Sequence, residues 1–289
     1  MQEIVLCAPA KLNITLDITG VLPNGYHQMD MIMQTIDLFD SVKLRKADVV
    51  ALNVDGKVPT NKLNTAYKAA VAFFSEVDLM AGVEIHLEKT IPVRAGMAGG
   101  SADAAAVLVG LNVLYNARLT QGELAKIGMQ IGADVPFAVI GGTARVTGVG
   151  EGVKPLPAIP SCHFVVCMPE YGIRTPEAFA RYDKLGSKKR PNNERAVNAI
   201  VNGDLVELAK NMGNVLEYAA QGKRTEEIAT TLMQSGAIAA QMTGTGAAIF
   251  GVFTDEASAQ SAKASLEKIC KNCFLAKPIS KGAFIEGER

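Results

Sequence analysis

From Ile91 to Ala106 the chain reads Ile-Pro-Val-Arg-Ala-Gly-Met-Ala-Gly-Gly-Ser-Ala-Asp-Ala-Ala-Ala, and this run constrains everything around it. The segment before it, Val83-Glu84-Ile85-His86-Leu87, alternates with the period of two that marks a strand. The segment after it, Ala104 to Tyr115, combines strong helix formers with apolar residues at helical spacing. Gly96, Gly99 and Gly100 therefore lie where a loop leaving a strand opens a helix. Backbone N–H groups at such a helix start have no intrahelical partners and sit at the positive end of the dipole. Uncrowded by side chains, they can close around phosphate oxygens. The same turn also suits a helix and a sheet that merely pack closely, so the loop alone leaves both readings open. It is not a Walker A loop, because no Lys-Ser or Lys-Thr follows the last glycine, and it lacks G-x-G-x-x-G spacing. Neither His-Arg-Asp nor Asp-Phe-Gly occurs, which argues against a protein kinase.

Strands and helices are interspersed throughout, with many adjacent strands, which predicts an α+β fold rather than a doubly wound sheet. Residues 4–20 alternate, with Leu12, Ile14, Leu16 and Ile18 on one face and Lys11, Asn13, Thr15 and Asp17 on the other. Met31 to Leu38 and Ser41 to Leu44 read as two further strands, and Asn61 to Glu76 as a helix. Thr120 is placed to cap a short helix, and Thr175-Pro176-Glu177 reads as a cap followed by an N1 proline. Strands are expected at 163–167, 237–242 and 247–253, with a last one near Phe274. At 289 residues the chain suits about two domains, and Pro155, Pro157 and Pro160 put the boundary between residues 1–158 and 159–289.

Charge and composition narrow the partners. Basic and acidic side chains balance at 29 each, so nothing favours nucleic acid, and no apolar run is long enough to span a membrane. The N-terminus starts on strand-like Glu3-Ile4-Val5 with no signal-peptide core, so a cytoplasmic location is expected. Cys270-Lys271-Asn272-Cys273 stands without a second cysteine pair or a nearby histidine, and His27, His86 and His163 are far apart. No transition-metal centre is expected. No feature fixes an oligomeric state.

Four positions carry candidate chemistry. Lys11, on a largely apolar strand, could polarise a hydroxyl or steady a developing charge, or could be an edge lysine with its head in water. Asp134, two residues before Pro136, could be a general base or simply a helix cap. Thr243-Gly244-Thr245-Gly246-Ala247 is a second glycine-rich loop, or an ordinary hairpin. Gly25-Tyr26-His27 exposes a ring beside an imidazole, a platform for a flat base.

Together these segments become specific. Pro9-Ala10-Lys11-Leu12-Asn13, the glycine loop with Ser101-Ala102-Asp103-Ala104-Ala105, and Thr243-Gly244-Thr245-Gly246 resemble, in order and spacing, the three motifs of the GHMP small-molecule kinases. Asn24-Gly25-Tyr26-His27, Met33-Gln34-Thr35, Gly132-Ala133-Asp134-Val135-Pro136, Gly148-Val149-Gly150-Glu151 and Met212-Gly213-Asn214-Val215-Leu216-Glu217 look like the branch that acts on a cytidylyl small molecule. The resemblance implies a ribosomal-S5-like α+β domain beside a ferredoxin-like α+β domain, with ATP and Mg²⁺ as cofactors. It implies that Asp134 deprotonates the substrate hydroxyl while Lys11 holds that hydroxyl and keeps Asp134 ionised. The ATP loop would be Pro92, Val93, Arg94, Ala95, Gly96, Met97, Ala98, Gly99, Gly100, Ser101 and Ala102, with Asn64, Thr65 and Lys89 toward the adenosine end. Tyr26 and Phe179 would sandwich cytosine, His27 would bond its edge, and Asn13, Thr175, Gly244 and Gly246 would lie on the substrate side.

The chain departs from the family pattern at two places. It has Ser101-Ala102 where many relatives carry two serines, which leaves Ser101 as the one candidate Mg²⁺ contact in the loop. Its third motif keeps both hydroxyls as Thr-Gly-Thr-Gly-Ala. A homoserine, mevalonate or sugar kinase of the same family is the rival reading, but it has no evident need for the Tyr26-His27 platform or Phe179.

Overall fold

The structure is a computed structural model that describes residues 2–56, 58–187, 189–220 and 222–287. Two long strands open it, β1 (Glu3–Val21) and β2 (His27–Ala47), followed by β3 (Ala51–Asp55) and helix α1 (Thr65–Glu76). Strand β4 (Gly82–Glu88) leads through the glycine loop into α2 (Gly99–Leu114), then α3 (Gln121–Met129) and α4 (Val135–Ile140). Strands β5 (Thr143–Gly148), β6 (Gly152–Pro155) and β7 (His163–Met168) come next, then helices α5 (Thr175–Leu185), α6 (Asn193–Val201) and α7 (Leu205–Asn211). The short β8 (Gly213–Asn214) and α8 (Glu217–Ala220) precede α9 (Lys223–Gln234), β9 (Ala239–Met242) and β10 (Ile249–Phe253). Helix α10 (Glu256–Leu266), β11 (Asn272–Ala276) and β12 (Phe284–Ile285) end the chain.

One sheet of 8 strands runs β12-β1-β2-β4-β3, with β5 and β6 continuing from β2 and β8 adding to β1. A second sheet of 4 antiparallel strands has the order β11-β7-β10-β9. The fold is α+β, as the interspersed pattern predicts. The sheets divide near the proline-rich segment, but β8 pairs with Thr15–Leu16 and β12 with Leu6–Cys7, so the later half returns twice to the first sheet. The core is shared as well: Leu12, Ile14, Met33 and Phe137 pack in one apolar cluster with Phe164 and Phe250.

Several local expectations need correction. Residues 31–44 form one continuous strand rather than two, because Phe39 and Asp40 stay paired with Pro9 and Ala8. Helix α1 starts at Thr65 rather than Asn61, with Asn64 Oδ1 accepting the Ala66 N–H at 2.9 Å. Thr175 is the first residue of α5 and not its cap; that position is Arg174, whose side chain makes no capping bond. Lys11 is no edge lysine. It lies 5% exposed on a strand paired on both sides, and Asn13 and Thr15 beside it are fully buried. No helix among the described residues is long and apolar enough to cross a membrane.

Helix α2 carries the glycine loop at its N-terminus and lies on the sheet through Gly110. A methyl there would sit 2.5 Å from Leu44 Cδ1 and 2.6 Å from Leu6 Cδ1. Gly110→Val should therefore overpack this joint and cost about 1–3 kcal/mol. The measurement is a lower urea midpoint with an unchanged slope.

Candidate active site

The two glycine-rich loops meet backbone to backbone. A methyl on Gly96, at φ +75°, would stand 2.1 Å from the Thr243 carbonyl oxygen. One on Gly244, at φ +55°, would stand 2.6 Å from the Gly96 oxygen. Both positions need glycine for space and for conformation. Hydrogen bonds stitch β1 into the same junction: Lys11 N–H donates to Met97 O at 3.2 Å, and Asn13 N–H to Thr243 Oγ1 at 3.0 Å. Asn214 donates through Nδ2 to Met242 O at 2.9 Å and Gly244 O at 2.8 Å, which fixes the second loop from β8.

This junction walls a cavity of about 630 Å³. Pro92 through Gly100 line it continuously, together with Lys11, Asn13 and Asp134. Asn64, Thr65 and Lys89 line it too, as do Thr175, Phe179 and Gly244. Residues far apart in the chain are thus brought to one space. Ser101, Ala102, Tyr26, His27 and Gly246 lie outside the wall itself.

At the head of α2, Ala98 takes a left-handed φ of 57° as the capping residue, and the Ser101 and Ala102 amides both donate to its carbonyl at 2.9 Å. The Gly99 and Gly100 amides precede the first helical bond and are open to an anion. Ala102 is 1% exposed and packs in the core, so a hydroxyl at this position would face apolar side chains rather than the cavity. The Ser101 side chain is half-buried, its hydroxyl 3.9 Å from where a methyl on Gly132 would stand.

The residues expected at the adenosine end are each held by the protein. Asn64 caps α1 and donates to Pro59 O at 2.7 Å, while the Thr65 hydroxyl donates to Gly100 O at 2.6 Å. Lys89 Nζ sits between two buried carboxylates, donating to Asp40 Oδ2 and, at 2.5 Å, to Asp103 Oδ2. Asp40 Oδ1 also accepts the Thr90 and Ile91 amides at 2.6 and 2.8 Å, tying the loop's first residues to β2. Burial, helped by Asp40 and opposed by Lys89, holds the Asp103 carboxyl up at about 7. The sequence reading missed Asp40; the available signal was an acid on the same face of β2 as Leu38 and Val42.

The polar pair lies at another part of the wall. Asp134 stands at the cap position of α4 but makes no capping bond, which removes the structural alternative for its carboxylate. Lys11 is buried; burial lowers its pKa and the Asp134 charge opposes that fall. Its ammonium donates to Asn13 Oδ1 at 2.5 Å, so Asn13 aims it.

The aromatic end is built from both halves. Phe179 stacks on His27 with ring centroids 4.6 Å apart and 22° between planes, and Tyr26 is 65% exposed. His27 Nε2 lies 2.8 Å from Asp183 Oδ1, a partner the sequence reading did not name. Thr175 Oγ1 is 3.4 Å from Thr245 Oγ1 at the cavity edge. Gly246 is a packing position, where a methyl would meet Met242 Sδ at 2.5 Å.

Comparison with known proteins gives consistent matches. The family description "GHMP kinases N terminal domain" matches residues 64–142, and "GHMP kinases C terminal" matches residues 196–272. A 4-diphosphocytidyl-2-C-methyl-D-erythritol kinase of Clostridium tetani is 41% identical over 94% of this chain and 99% of its own length. One of Clostridioides difficile is 38% identical over 100% of this chain and 99% of its own. A crystal structure of a 4-(cytidine 5'-diphospho)-2C-methyl-D-erythritol kinase superposes with a TM-score of 0.81 at 29% identity, covering 95% of this chain and 99% of that one. A homoserine kinase from Cytophaga hutchinsonii shares the fold, with a TM-score of 0.77 at 17% identity over 99% of this chain and 98% of that one.

The Asp103 carboxyl, raised to about 7, makes the folded state hold a proton that an ordinary unfolded carboxylate releases near 4. Between those values the folded state binds more protons, so this contribution favours folding at low pH and is lost as pH rises through 7. Asp103→Asn removes it. Melting temperature measured from pH 4 to 8 should fall less steeply in the variant than in the wild type.

Proposed function

This chain belongs to the GHMP kinase family, among its 4-diphosphocytidyl-2-C-methyl-D-erythritol kinases, and from that premise we propose how its cavity carries the reaction. The enzyme phosphorylates the 2-hydroxyl of 4-diphosphocytidyl-2-C-methyl-D-erythritol with ATP, in isoprenoid precursor synthesis. The observation that supports the assignment of roles is the shared wall: Lys11, which feels the Asp134 charge, and Asp134 both line a cavity also lined by Gly99 and Gly100.

In this reading Asp134 takes the proton of the accepting hydroxyl as the γ-phosphoryl group arrives in line. Lys11, aimed by Asn13, holds the same oxygen and steadies the negative charge that develops there. The amides at the head of α2, within the loop from Pro92 to Gly100, receive the phosphate oxygens. Asn64, Thr65 and Lys89, all on the cavity wall, would contact the adenosine end, each held in place by its internal bonds. Mg²⁺, when bound, neutralises phosphate charge. The Ser101 hydroxyl, an oxygen donor of the hard type this ion prefers, would be one ligand. Ala102 ends the ATP loop with its methyl packed in the core and its amide bonded to Ala98 O.

At the far end Tyr26 and Phe179 would take the cytosine ring between them, with His27 at its edge, Thr175 and Gly244 on the adjoining wall and Gly246 packed behind it. The exposed Tyr26 ring and the Phe179–His27 stack support this arrangement. A homoserine- or mevalonate-type specificity has no use for such a platform.

Asp134→Asn should lower kcat by about 10² to 10⁴ with the KM values for ATP and the cytidylyl substrate little changed. Steady-state kinetics with ATP and the cytidylyl substrate provide the test. Undiminished turnover would remove the general-base role, and turnover of homoserine in place of the cytidylyl substrate would overturn the specificity.

A further inference from the structure

Helix α5 carries Phe179, Tyr182 and Asp183 at i, i+3 and i+4, and all three meet the imidazole of His27 on β2. Phe179 sets the plane of that ring by stacking at 4.6 Å, and Tyr182 closes on it edge-on at 6.3 Å and 80°. Asp183 then selects its edge, with Oδ1 2.8 Å from Nε2. The side chain of His27 is only 10% exposed, so little freedom remains to it.

We infer that Asp183 is a specificity-positioning residue that acts through His27. It holds the ring in the tautomer whose Nδ1 is a bare acceptor, so the site takes a base bearing an amino group at position 4 and rejects one bearing a carbonyl there. This rests on the cytosine reading above and adds a residue and a chemical criterion to it. An ionised carboxylate only accepts hydrogen bonds, so Nε2 must be the donor in this contact. A neutral imidazole carries a single N–H, and Nδ1 is left with its lone pair. Cytosine offers a 4-amino donor to such an atom, whereas uracil offers a 4-keto acceptor. Two acceptors facing one another in a partly desolvated site leave both unpaired, the situation in which sites discriminate most strongly. Without Asp183, the proton can move to Nδ1, and the ring can then serve either base.

The test is steady-state kinetics near pH 8. Substrates are the cytidine-diphosphate-linked alcohol and its uridine counterpart, and the enzymes are wild type, Asp183→Ala, Asp183→Glu and His27→Ala. Asp183 is 53% exposed, so its replacement should leave the melting temperature unchanged. Asp183→Ala should raise the KM for the cytidylyl substrate about tenfold while kcat stays within about twofold. Its cytidine-to-uridine ratio of kcat/KM should fall by more than about tenfold, because the uridine substrate gains as the cytidylyl one loses. The KM for ATP should not move. Asp183→Glu, which keeps an acceptor-only group, should recover most of the preference. An Asp183→Ala enzyme that keeps the wild-type ratio overturns the inference alone, whether His27→Ala loses that ratio or not. A wild type that ignores the cytidylyl substrate overturns the functional reading instead.

Discussion

The approach of Gly96 to Thr243 and Gly244 is the contact on which the rest of the site depends. It joins a loop of the first sheet's half to a loop of the second at a distance that excludes even a methyl group on either glycine. Because the contact is made by backbone, its spacing is set by covalent geometry and by hydrogen bonds rather than by adjustable side chains. The Lys11 amide bonded to Met97 and the Asn13 amide bonded to Thr243 then bring β1 to a fixed height beside both loops. Lys11, the amides at the head of α2 and the wall at Gly244 therefore share one reference frame. Preorganisation of this kind is what phosphoryl transfer asks of a protein, since positioning and charge stabilisation supply most of the catalysis.

A second constraint is electrostatic. The glycine loop proposed to receive a polyphosphate is anchored by two carboxylates and one ammonium, Asp40, Asp103 and Lys89, all largely removed from water. Fully ionised, the cluster would place a net negative charge beside a negatively charged ligand. With Asp103 held up at about 7, that excess is partly discharged at neutral pH. The anchor can thus be polar, directional and buried without repelling what the loop binds. Its function is registration: Asp40 fixes the Thr90 and Ile91 amides, and Asp103 fixes the first turns of α2 through the same lysine.

Much of this was legible from residue order. The helical face of Ala66, Ala69, Ala70, Phe73 and Phe74 is buried as its spacing implies, and Thr120 forms the capping box expected of it. What could not be read were features defined by partners distant in sequence. Asp40 looks like a strand break until Lys89 neutralises it, so one strand reads as two. Alternation along β1 suggests a wet face, but the polar face of Lys11, Asn13 and Thr15 is itself enclosed, by loops more than 80 residues away (Lys11 to Met97) and farther still (Asn13 to Thr243). Strand β12 has only 2 residues and no periodicity to detect. Ala102 appeared to be a missing hydroxyl because motif spacing carries no information about which way a helical side chain points.

The substrate end is organised differently from the phosphate end, and the difference bears on how such a scaffold can change its substrate. There the halves meet through side chains: His27 with Asp183, Asp17 with Arg190, Arg145 with Glu194, and Asn193 with the Asp30 carbonyl. Each of these contacts pairs a residue of β1, β2 or β5 with one on or between α5 and α6, so residues on those helices can be exchanged without disturbing the glycine junction. Function lies in sites grafted on folds, and here the graft has a recognisable seam. On the proposed roles, residues that close backbone on backbone fix the chemistry, while residues that close side chain on side chain, Phe179 and Asp183 among them, are free to set which alcohol reaches it.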